Sequence, residues 1–88
     1  MGRVAASYNL MPEGPEVPVD EVREKIASMV PENVTLSDAQ IKPLAFGLKI
    51  IQVTFIMDDA EGIVDRLEEA LQGLDGIQNV ETISITLI

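Results

Sequence analysis

A four-stranded antiparallel sheet with two helices on one face is the fold predicted for this chain, an α+β sandwich of order βαββαβ. Three observations predict it. Two segments, Val19–Val30 and Ile63–Leu74, carry one apolar stripe each at helical spacing. Four segments around them read as strands by alternation or by β-branched content. Pro and Gly clusters separate the elements. Because β-to-α-to-β crossovers are right-handed and each helix has only one apolar side, both helices are expected on the same face. That is the ferredoxin-like arrangement.

Taken in order, Val4, Ala6, Tyr8 and Leu10 share one parity against Ala5, Ser7 and Asn9, the period of a half-buried first strand ending near Met11. Pro12-Glu13-Gly14-Pro15 blocks both ladder and helix. After Pro18, apolar residues Val19, Val22, Ile26, Met29 and Val30 fall on one helical side, and Pro31 ends the run because it pushes residue 30 out of the helical region. A second strand spans Val34–Ile41. Its apolar parity shifts from Val34 and Leu36 to Ala39 and Ile41, which predicts a bulge, or an end, near Asp38. Lys42–Gly47 is a connection, and Leu48–Met57, rich in β-branched residues on both parities, reads as a central strand. Asp58-Asp59-Ala60-Glu61 offers cap and first-turn acids to the second helix, and Gly73 and Gly76 mark its end. The last strand, Val80–Ile88, puts Ile83, Ile85 and Leu87 on one face.

The 88 residues suit a single domain, 1–88, and a 47% hydrophobic composition provides enough apolar material for one core. Six basic against fifteen acidic residues leave a formal charge of −9, which repels phosphates and anionic lipid, so no direct nucleic-acid or membrane partner is expected. The absence of Cys and His removes disulfides, thiol nucleophiles, the usual zinc ligands and an imidazole base. No cofactor, metal or covalent catalysis is predicted. The N-terminal Met1-Gly2 resembles a myristoylation start, but Ala6 stands where Ser or Thr is required. The longest apolar run, Leu48–Met57, is too short to span a bilayer, so the cytoplasm is the expected compartment.

Most motif-like features have plain structural readings. The carboxylates of Asp58, Asp59 and Glu61 read as helix capping and lack calcium-loop spacing. Gly73-Leu74-Asp75-Gly76 has the bare spacing of an RNA-clamping loop, yet contains an acid and no base, and a helix C-cap explains both glycines. Tyr8, Phe46 and Phe55 are the only aromatics, too few for a base-stacking sheet. Ser7, Ser28, Ser37 and Ser84 have no base to activate them. Phe46 remains. It sits in the Pro43-Leu44-Ala45-Phe46-Gly47 connection, either folded back as a core plug or exposed as an anchor for a partner's pocket.

The string Pro43-Leu44-Ala45-Phe46-Gly47-Leu48-Lys49 precedes an apolar strand, Asp58-Asp59 and Leu67-Glu68-Glu69-Ala70-Leu71, and it resembles the elongation factor 1-beta family, most closely its archaeal members. The similarity extends along essentially the whole chain. It implies the ferredoxin-like fold and a guanine nucleotide exchange factor whose partner is the GTPase elongation factor 1-alpha. It also implies that Phe46, with Pro43, Leu44, Ala45 and Gly47, forms a partner-binding loop wedging near the switch region, and that Thr86, Leu87 and Ile88 approach the magnesium and phosphate site. One departure stands out. Family members usually carry a basic residue just before a final apolar one, whereas here no Lys or Arg follows Arg66. Either exchange rests on Phe46 and steric intrusion, or activity is weak. The alternative of another class is a ferredoxin-like regulatory or assembly domain binding a small molecule. Such a domain is expected to carry a glycine-rich loop after its first strand, where this chain has Met11-Pro12-Glu13-Gly14-Pro15.

Overall fold

The computed structural model describes residues 2–30, 34–58 and 62–88. Its elements are β1 (Arg3–Pro12), α1 (Val19–Met29), β2 (Val34–Pro43), β3 (Lys49–Asp58), α2 (Ile63–Gln72) and β4 (Ile77–Leu87). The strands form one antiparallel sheet in the order β2-β3-β1-β4, so β3 and β1 are central. The ferredoxin-like α+β fold is as the residue pattern predicts.

Period-2 alternation in the central strands separates the faces. Val4, Ala6, Tyr8 and Leu10 of β1 and Ile51, Val53, Phe55 and Met57 of β3 are buried, and they pack with Val19, Val22 and Ile26 of α1 and Leu67 and Leu71 of α2. Fully burying a side chain of this size contributes about 1.5–3 kcal/mol. The Tyr8 and Phe55 rings meet with centroids 6.2 Å apart, tilted by 56°, a favoured aromatic geometry. The opposite face is mixed, pairing Ala5 with Ile56 and Asn9 with Gln52, and there the hydroxyl oxygens of Ser7 and Thr54 lie 3.0 Å apart.

Both edge strands use a bulge to keep apolar residues on the helix-covered side. In β2, Leu36 faces Phe55 and Asp38 faces Thr54, so Ser37 is the extra residue, close to the predicted site. Ala39 and Ile41 then lie opposite Val53 and Ile51. In β4, Ser84 faces Ser7 and Thr82 faces Tyr8, so Ile83 is extra. That second bulge turns Ile85 and Leu87 to the side of Ala6 and Val4. Without it, Ser84 and Thr86 would point there.

The observed ends of elements depart from expectation at several places. β2 continues to Pro43 and β4 begins at Ile77, because each finds a ladder partner in Lys49 and Pro12 respectively. Leu74 lies beyond α2, which is closed by the Gly73 N–H donating to the Glu69 carbonyl. Asp58, expected as a cap, is instead the last residue of β3, opposite Arg3, and α2 follows Gly62 at φ 85°. Asp59 and Glu61 of that expected cap lie outside the described residues, as does Pro31. Val30, before that proline, takes φ −59° and ψ 129°, out of the helical region as expected.

Candidate functional site

The β2–β3 hairpin closes through Leu44 N–H donating to the Leu48 carbonyl at 2.7 Å. Turning the chain within this short span takes two consecutive left-handed residues, Phe46 (φ 62°, ψ 29°) and Gly47 (φ 76°). Glycine adopts this conformation freely. For a bulky L-residue it costs about 1–2 kcal/mol, and a backbone outlier of this kind characteristically marks a functional position. Phe46 gains no burial in return: its surface is 95% exposed. The core-plug alternative is therefore excluded, and the ring projects from the hairpin tip. Leu44 is exposed beside it, and Pro43 ends β2 opposite Lys49.

The other expected contact group is held differently. β4 pairs with β1 up to Leu87, which faces Val4, and Thr86 faces Ala5. Beyond the ladder, the Ile88 N–H donates to the Arg3 carbonyl at 2.9 Å. Leu87 and Ile88 are 68% and 66% exposed, so two apolar side chains stand in solvent on a firmly paired strand end.

These two groups are not brought together. The hairpin joins β3 at Lys49, whereas Leu87 faces Val4, which faces Met57 at the far end of β3. Eight steps of about 3.3 Å separate Lys49 from Met57, about 26 Å. Phe46 and Leu87 therefore occupy opposite ends of a molecule 43 Å long. A small-molecule pocket of about 300–1,000 Å³ is only about 10 Å across. Both groups cannot enter one nucleotide pocket at once.

A cation near the C-terminal end escapes a reading that looks only beyond Arg66. The antiparallel register returns exposed Arg3 from the N-terminus to the side of Ile88. The signal was the parity of the two terminal strands: Val4, Ala6 and Tyr8 on one, Ile85 and Leu87 on the other. Matching them places Arg3 at the end.

The EF-1 guanine nucleotide exchange domain family model matches residues 5–88. The chain belongs to this family. This exchange domain is similar over its full length to curated proteins named elongation factor 1-beta. It is 39% identical to that of Archaeoglobus fulgidus over 88 residues, 100% of both chains, and 35% identical to that of Methanothermobacter thermautotrophicus over 85 residues, 97% of this chain and 96% of the relative. With the Methanosarcina acetivorans protein it shares 40% over 84 residues, 94% of each. The exchange domain is thus that of a translation elongation factor with nucleotide exchange activity. Among solved structures, the C-terminal domain of the MgtC protein from Mycobacterium tuberculosis superposes with a TM-score of 0.59 at 14% identity, covering 99% of this chain and 88% of that one. At that identity the likeness is one of fold. No helix among the described residues is long and apolar enough to cross a membrane.

Proposed function

We propose that this exchange domain acts on elongation factor 1-alpha through two separated contacts, without covalent chemistry. The Phe46 hairpin anchors the complex, and the C-terminal end, Thr86–Ile88 with Arg3, disturbs the magnesium and phosphate site. The observation that carries the reading is the exposed, left-handed Phe46 in a chain of this family.

Exchange requires only that the factor bind the nucleotide-free GTPase more tightly than the GDP form. By reciprocity that preference is subtracted from GDP affinity, and a thousandfold weakening needs about 4 kcal/mol. A contact more than about 26 Å from the other cannot sense the same nucleotide directly, so Phe46 binds both forms alike and raises occupancy of the complex. The differential contact belongs to the other end. There Arg3 supplies the positive charge that β4 lacks, and Leu87 and Ile88 supply steric intrusion. The acidic body favours encounter with a basic partner.

The test is release of fluorescent GDP from elongation factor 1-alpha. Wild type is expected to accelerate it, and Phe46→Ala to raise the half-saturating concentration about 30-fold, the effect of a 2 kcal/mol hot spot. An unaccelerated wild-type reaction defeats the exchange reading, and an unchanged Phe46→Ala defeats the anchor. Arg3→Gln is expected to lower the maximal rate without altering stability, as judged by thermal melting. An unchanged maximal rate removes Arg3 from the site.

A further inference from the structure

We infer that Lys42 and Lys49 are specificity-determining residues of the hairpin, and that the surface receiving Phe46 is an apolar pocket rimmed by carboxylates. This inference rests on the exchange reading above and deepens it. Fifteen acids give the chain its charge of −9, yet from Ala39 to Met57 the only ionisable residues are Lys42 and Lys49. Both are exposed. Among the described residues, neither lysine lies within 4.0 Å of a carboxylate; the only such pair joins Arg23 to Asp20 on α1.

Register puts the two lysines on opposite sides of the hairpin. Lys42 faces Ile50, and Lys49 faces Pro43, so they flank the exposed Leu44 and Phe46 from either face. Lys49 also edges a cleft of about 200 Å³ floored by Met11, Leu48 and Ile50. The tip is thus an apolar knob between two cations at one end of an otherwise acidic molecule. Glu13, Glu16 and Asp75 are the acids of the neighbouring loops; they belong to the segments joined where the Glu13 N–H donates to the Gly76 carbonyl.

An aromatic anchor works best in an apolar, water-excluding pocket, and charges at its rim set orientation and encounter rate. Here the rim charges on this side are positive, so the complementary rim is negative. An acidic patch repels the acid-rich body and attracts the two-lysine tip, which favours the orientation that seats Phe46. A nucleic-acid phosphate would also attract two lysines. It is disfavoured because Phe46 is the sole exposed ring available to stack and the net charge opposes polyanion approach.

The experiment titrates GDP release from elongation factor 1-alpha at several salt concentrations with four proteins: wild type, Lys42→Gln/Lys49→Gln, Lys42→Arg/Lys49→Arg, and Arg23→Gln/Lys25→Gln. The last has the same net charge as the glutamine pair but alters α1. The glutamine pair is expected to raise the half-saturating concentration about 3- to 10-fold at low salt, with an unchanged maximal rate and a weaker salt dependence. The arginine pair is expected to match wild type, and the α1 pair to move by less than about twofold. Equal effects of the two glutamine pairs, or no rescue by arginine, overturn the proposal while leaving wild-type exchange intact. Direct binding of tRNA by the free protein that the glutamine pair abolishes also overturns it, assigning the tip to RNA. A wild type without exchange activity removes the reading on which the proposal rests.

Discussion

Phe46 combines two costs that a folding optimum avoids, a large apolar ring in water and a left-handed backbone. Replacing it with Asn, which tolerates that conformation, is expected to stabilise the fold by about 1 kcal/mol. That corresponds to a melting temperature about 4–8 °C higher by calorimetry, while exchange at subsaturating concentrations falls. A lower melting temperature would mean the ring contributes to folding after all. Tyr8 makes a different residue-scale statement. Its hydroxyl donates to Glu68 Oε2 at 3.2 Å, and burial, reinforced by the Glu68 charge and hydrogen bond, pushes the phenol above its ordinary range. In the unfolded chain the phenol loses its proton near pH 10, whereas the folded chain keeps it. Stability associated with this group is therefore intact below about pH 10 and declines as pH rises from there towards the folded value. Tyr8→Phe is expected to flatten that alkaline decline in urea unfolding at pH 9 to 11; an identical pH profile would contradict the assignment.

At the scale of elements, the bulge at Ser37 decides which side chains of β2 lie on the helix-covered face. Deleting Ser37 would restore an uninterrupted β2 ladder, with Asp38 still opposite Thr54 and Ala39 and Ile41 still opposite Val53 and Ile51. No apolar side chain changes face, so the deletion is expected to change unfolding free energy by less than about 1 kcal/mol in denaturant titration. A loss of more than about 3 kcal/mol would show that the bulge itself, and not only the parity it reconciles, is needed at this edge. The β2 bulge was legible because apolar residues changed parity within an otherwise continuous strand. The β4 bulge was not: Ile83, Ile85 and Leu87 alternate without a break, and the change shows only when Val80, opposite Leu10, is set in register with them. Element order, the central place of β3 and the apolar faces of both helices followed from periodicity. The Asp58 cap failed because local propensity favoured a helix start, whereas pairing with Arg3 extended the strand. For the candidate site, the loop motif carried Phe46, but no sequence signal gave its distance from the C-terminal residues. That separation is a property of sheet register.

For the whole molecule, that separation divides the work. An elongated domain 43 Å long with an aromatic knob at one end and an apolar, Arg3-flanked strand end at the other is suited to reaching two surfaces of one GTPase. In the proposed mechanism the distal anchor governs how often the complex forms, and the strand end governs how far the nucleotide is weakened once it has formed. The most direct measurement is a full concentration titration of GDP release by Phe46→Ala and by a chain lacking Leu87 and Ile88. The account predicts that Phe46→Ala shifts the half-saturating concentration with an intact plateau, whereas the shortened chain lowers the plateau with little change in half-saturation. Both variants moving the same parameter would contradict it.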